Sequence, residues 1–147
     1  KKAGSKEQFR AIDYDMTMRV ARLAKKYHVN TCIVVTSLGA HPKSSLFYSR
    51  VKGDLEEALK KLEFNYLGII RPSLLLGPRS ERRFAEWIGQ KVMSYFSWMF
   101  QGSFKKYRAI SHENVAKMCF KLGITMPHEI HDDALDVEIV DTRDLTI

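Results

Sequence analysis

The chain has 147 residues, of which 45% are hydrophobic and 28% charged, the composition of a folded domain rather than a disordered tract. Its net charge of +7 is spread along the whole chain, without the basic, aromatic-interleaved stripe of a nucleic-acid groove, so an anionic small-molecule ligand is expected and nucleic acid is not. Two cysteines, Cys32 and Cys119, are too few for a disulfide framework, no apolar run reaches the ~18 residues of a membrane span, and the first six residues lack a signal-peptide core. A reduced, cytoplasmic setting without membrane contact is the expectation.

In chain order, helix and strand patterns alternate, which points to an α/β fold. Asp13 or Asp15 is placed to cap a first helix running to about Tyr27, with Met16, Val20, Leu23, Ala24 and Tyr27 at helical spacing. Thr31-Cys32-Ile33-Val34-Val35-Thr36 is a continuous β-branched run and predicts a strand buried on both faces in a parallel sheet. After Gly39 and Pro42 a second helix is predicted over about 46–62, with Glu56 to Lys60 and Glu57 to Lys61 as i,i+4 pairs. Tyr66-Leu67-Gly68-Ile69-Ile70 reads as a second buried strand. It should lie parallel to the first, because a full helical crossover separates them. Arg71-Pro72 ends that strand. A third helix is predicted over about 82–96, a shorter one over about 113–122, and a last strand over about 137–140.

Chemistry concentrates in Tyr48-Ser49-Arg50-Val51-Lys52. A Tyr and a Lys four apart share one face of a helix, and an ammonium nearby favours a phenolate. A tyrosine so placed can pass a proton to or from a carbonyl or alcohol oxygen. By itself the spacing is common on amphipathic helices. Its setting adds to it: Ser37 follows the first strand, in Thr36-Ser37-Leu38-Gly39-Ala40, and ligands of open parallel sheets bind at the carboxyl ends of the strands. A hydroxyl there can bond a substrate oxygen; the alternative is a loop hydroxyl that satisfies its own backbone.

These segments, with Ser44-Ser45-Leu46-Phe47 before Tyr48 and Ile70-Arg71-Pro72-Ser73-Leu74-Leu75-Leu76-Gly77-Pro78-Arg79 after the second strand, resemble the short-chain dehydrogenase/reductase superfamily. More narrowly they resemble its atypical members, similar to the Tat-interacting-protein oxidoreductases. The resemblance covers most of the chain to about residue 120. It implies a Rossmann-like, doubly wound α/β fold and hydride transfer between NADP or NAD and a carbonyl or alcohol. It further implies that Tyr48 is the general acid/base and that Lys52 tunes it and holds the nicotinamide ribose. Ser37 would orient the substrate carbonyl, and Pro72, Ser73 and Leu74 would border the nicotinamide. Arg71 is expected to form a structural ion pair at the strand end instead. Two other functions sit on the same fold: a non-catalytic NAD(P)-sensing or protein-interaction regulator, and a sugar-nucleotide epimerase.

The chain departs from the family in having no G-x-G-x-x-G and no glycine cluster to hold a pyrophosphate. It is therefore expected to be the C-terminal portion of one NAD(P)-binding domain, with about 80–147 as substrate-side elements. The absent N-terminal half would be its partner, and the portion alone would be inactive. Three further features carry less. His128 and His131 with Asp132 and Asp133 lack a recognised zinc spacing, so no metal is expected. Arg79, Arg82 and Arg83 form a basic cluster at the expected mouth of the site. The aromatic stretch from Tyr95 to Phe100 suits a core, an apolar pocket or a homodimer interface.

Overall fold

The computed structural model describes residues 5–73, 75–76, 110–125 and 136–141. The expected helix over 82–96, the arginine cluster, the aromatic stretch, the histidine pair and Leu74 lie outside the described residues.

The first helix starts earlier than its aspartates suggest. The Ser5 hydroxyl accepts the Gln8 N–H at 3.1 Å and caps α1 (Lys6–Arg10). The helix then widens into a π-helical turn over Ala11–Met16 and continues as α2 (Thr17–Lys26). Neither Asp13 nor Asp15 is a cap. The helix ends in a Schellman arrangement with His28 in the left-handed region at φ 59°. There the His28 N–H donates to Lys25 O and the Val29 N–H to Ala24 O, both at 3.0 Å.

Next come β1 (Thr31–Val35), α3 (Phe47–Lys60) and β2 (Tyr66–Arg71), and then the short strands β3 (Leu75–Leu76) and β4 (Ile110–Ser111). The chain closes with α4 (His112–Thr125) and β5 (Asp136–Asp141). Strands β1, β2 and β5 form a parallel sheet in that order, with Ile33 opposite Gly68 and Gly68 opposite Glu138. β3 and β4 form a separate parallel pair.

Alternation along β2 divides the core in two. Leu67 and Ile69 pack with Met18 and Ala21 of α2, Leu55 and Leu59 of α3, and Phe64. Tyr66 and Ile70 pack on the other face with Val140 and with Val115, Met118 and Leu122 of α4. A Cβ at Gly68 would lie 3.3 Å from Leu122 Cδ1 and 3.4 Å from Ile33 Cγ1, so the missing side chain lets α4 come close to the sheet. The result is a small α/β domain whose parallel sheet is flanked by helices, a topology consistent with doubly wound, Rossmann-like folds.

Three expectations from local pattern are corrected. Among the described residues β1 pairs only with β2 and is half-buried rather than enclosed on both faces. On the first helix Met16, Val20, Leu23 and Tyr27 are more than half exposed, and Met18 and Ala21 meet the sheet instead. The helix carries two apolar faces, and periodicity alone cannot say which one the sheet takes. Glu56 does not pair with Lys60: it is buried, and Lys60 bonds Glu57 at 2.7 Å.

Candidate functional site

The site region begins where β1 and β2 stop being regular strands. Their pairing runs on past the strand ends: the Thr36 N–H donates to Ile70 O at 2.8 Å and the Leu38 N–H to Pro72 O at 2.9 Å. Ser37 is thereby fixed between two residues bonded to the second strand and its exit loop. It is 7% exposed, and its Oγ has no hydrogen-bond partner among the described residues. The alternative of a hydroxyl bonded to its own backbone is therefore not realised there. A buried hydroxyl without a partner costs about 1–3 kcal/mol, and such atoms mark places that a ligand or water completes.

Gly39, at φ +76°, then turns the chain back over α3. The Ala40 N–H closes the turn on Ser37 O at 3.0 Å. The His41 N–H donates to Ser49 O at 3.1 Å, and Arg50 Nη1 donates to Ser44 O at 2.7 Å. The contact is tightest at Gly53, where a Cβ would stand 2.3 Å from the His41 carbonyl carbon and 2.4 Å from Pro42 N. Only glycine lets the loop that leaves Ser37 lie on the helix that carries Tyr48 and Lys52.

Tyr48 occupies the first turn of α3 and is 47% exposed. Its ring leans on Phe9, with centroids 5.5 Å apart, and Lys52 Nζ lies 6.0 Å from its centroid, at the outer limit of a cation–π contact. The firmer contact of Lys52 is with Asp13: Nζ donates to Oδ1 at 2.6 Å, with both side chains largely covered. Asp13 reaches it from the π-helical turn. Such turns add one residue to a helix and so re-aim the side chains they hold. Among the described residues no hydrogen bond joins the Tyr48 hydroxyl to Ser37 or to Lys52. Pro72 is buried and Ser73 half-buried at the end of β2.

One turn past Lys52, Glu56 is 2% exposed. Its carboxylate accepts the Thr36 hydroxyl at 2.6 Å and the Arg71 Nε at 3.1 Å on Oε1, and Arg71 Nη2 on Oε2. That bond holds the Arg71 guanidinium above its ordinary pKa. The expected strand-end ion pair of Arg71 is present, with Glu56 as its acid. Thus Tyr48 and Lys52 share one end of α3, and Ser37 and Pro72 share the carboxyl edge of the sheet. Glu56 connects the two groups through Thr36 and Arg71. No group of three or more His, Cys, Asp or Glu side chains among the described residues could hold a metal ion.

Sequence reasoning missed Asp13 and Glu56 as members of this region. For Glu56 a signal existed, since it continues the i,i+4 line of Tyr48 and Lys52 toward the buried Leu59. For Asp13 none did, because its aim depends on the π-helical turn.

Comparison with known proteins finds relatives that share one name. Protein FMP52, mitochondrial, of Debaryomyces hansenii is 38% identical over 123 residues, which is 82% of this chain and 53% of that protein. The protein of the same name from Lodderomyces elongisporus is 42% identical over 81 residues, 55% of this chain and 34% of the relative. That of Coccidioides immitis is 32% identical over 122 residues, 83% and 50%. The chain thus spans between a third and about half of the length of these curated relatives. No family model matches it. The relatives' names overturn the expected cytoplasmic setting, since all of those compared are called mitochondrial. Few cysteines fit a mitochondrial protein as well as a cytoplasmic one, so composition could not separate the two. No helix among the described residues is long and apolar enough to cross a membrane.

Proposed function

We propose that the chain is the catalytic portion of an NAD(P)-dependent oxidoreductase of the atypical short-chain dehydrogenase type, on a Rossmann-like fold. One observation carries the reading: a nine-tenths buried Ser37 hydroxyl without a partner, at the carboxyl edge of a parallel sheet, beside a helix bearing Tyr48 and Lys52. An unused buried donor at that edge suits a carbonyl or alcohol oxygen. Tyr48 is half exposed, so a ligand can reach its side chain.

The residues fit a nicotinamide end of the cofactor. Pro72 and Ser73 border the sheet edge next to Ser37, Leu74 continues it in sequence, and Lys52 lies on the helix over which the loop from that edge folds. Bound NAD(P)H would supply the hydride. The chain's own residues do the rest. Ser37 Oγ donates to the substrate oxygen and holds it. Tyr48 Oη delivers the proton that this oxygen gains on reduction, or removes it in the reverse direction. Lys52 keeps positive charge beneath the Tyr48 ring, and Asp13 anchors that ammonium from the first helix. The names of the relatives support a mitochondrial setting for this activity.

In the full-length protein Tyr48→Phe should lower turnover at least ~10²-fold with the fold unchanged, the lower end of the acid–base contribution. Turnover that survives this change with a verified substrate would remove Tyr48 from the chemistry.

A further inference from the structure

A single buried carboxylate ties three elements together at the edge where the site lies. Glu56 belongs to α3, Thr36 is the residue after β1, and Arg71 is the last residue of β2. Both oxygens of the carboxylate are engaged. Oε1 takes the Thr36 hydroxyl and Arg71 Nε, and Oε2 takes Arg71 Nη2, a two-pronged guanidinium grip that fixes direction as well as distance. A buried ion pair of this kind is weak as a stabilising device, because apolar side chains of similar volume often do as well. It is strong as a geometric one.

The residues adjoining the tie explain what its geometry serves. Thr36 precedes Ser37, and Arg71 precedes Pro72. On the helix, Glu56 is one turn from Lys52 and two from Tyr48, about 6 and about 12 Å along the axis. We propose that Glu56 is a positioning residue, whose carboxylate holds the ends of β1 and β2, and with them Ser37 and the Pro72 loop, in fixed register with the helix bearing Tyr48 and Lys52. The tie is independent of what the site does; its consequence for turnover rests on the oxidoreductase reading above.

Hydrogen exchange followed by NMR tests the tie directly. Glu56→Gln keeps the side-chain volume and removes the charge. The Thr36 and Leu38 amides, bonded across to Ile70 and Pro72, should then exchange about tenfold faster or more, while mid-strand amides of β2 keep their rates. Thr36→Val, which removes only the hydroxyl, should loosen the same two amides to a smaller extent, and it decides the matter if the Gln variant does not fold. Equal acceleration at all amides, or none at Thr36 and Leu38, overturns the proposal. The full-length protein adds a second reading, from NADPH oxidation with phenanthrenequinone as the carbonyl probe. Glu56→Gln should lower kcat several-fold while KM for the quinone changes little. Selective loosening with kcat unchanged also overturns the positioning role. If the parent protein turns over no quinone and Tyr48→Phe is silent, the oxidoreductase reading falls, and the exchange rates alone uphold or overturn the tie.

Discussion

Gly53→Ala sets two physical effects against each other within α3. Helix propensity favours alanine over glycine in a helix interior by about 1 kcal/mol, so an ordinary exposed helix would gain stability. Here the new Cβ would meet three backbone atoms of the loop leaving the β1 edge: His41 C at 2.3 Å, Pro42 N at 2.4 Å and His41 Cα at 2.6 Å. Backbone cannot swing aside as the tip of a side chain can, so the loop or the helix must retreat by about 1 Å to restore ordinary contact. Overpacking of this sort costs about 1–3 kcal/mol, and the His41 N–H to Ser49 O bond, worth about 1 kcal/mol, is lost in the retreat. The balance favours destabilisation by about 1–3 kcal/mol. With a urea dependence of about 2 kcal/mol per molar for a domain of this size, the midpoint of unfolding should fall by about 1 M. On the proposed oxidoreductase reading, turnover of the full-length protein should fall as well, because the displaced segment joins Ser37 to the helix of Tyr48. A variant that unfolds at higher urea than the parent would show that the loop does not rest on α3 and would refute the reasoning.

Two further outcomes follow from named contacts. Tyr66 is fully buried, and burial first, then its 2.7 Å bond to Glu138 Oε2, pushes its hydroxyl well above the ordinary tyrosine pKa. A group whose folded pKa is raised contributes stability that is complete below the unfolded value, about 10, and is lost as pH climbs toward the folded value. Unfolding free energies measured across pH 9 to 12 should therefore fall in this chain by up to about 1.4 kcal/mol per unit more than in Tyr66→Phe above pH ~10, and parallel curves would sink the assignment. Asp13→Asn takes the charged partner from a largely covered ammonium and should cost about 1.5–3 kcal/mol, the worth of a hydrogen bond to a charged group, and it should speed the labelling of Lys52 by an amine reagent; unchanged labelling would argue that the ammonium is not held by Asp13.

Much of the central fold is legible in the order of residues. The β-branched run from Thr31 to Thr36, the apolar run from Tyr66 to Ile70 and the amphipathic stretch between them predict β1, β2 and α3 with ends that differ by at most two residues from those observed. Their parallel pairing follows from the helical crossover. These are local signals: strand preference, helical periodicity and the length of a connection act over a few residues. Within the site, the Tyr48 and Lys52 spacing and the place of Ser37 after a strand are legible for the same reason.

Tertiary structure decided what depended on partners distant in the chain. Which face of the first helix is buried was settled by the sheet, which takes Met18 and Ala21 and leaves Val20 and Leu23 in contact with solvent. A lysine one turn away made an exposed pair for Glu56 look natural. Burial instead drew the carboxylate to Arg71, because a charge removed from water needs a cation with several donors in range. Asp13 became the partner of Lys52 only because a π-helical turn, which no periodicity announces, aims it across to α3. Sequence by itself determined the central β1, α3 and β2 and the spacing of Tyr48 and Lys52. Only the packed chain decided how those side chains are oriented, since long-range burial and charge pairing leave no periodic trace in the order of residues.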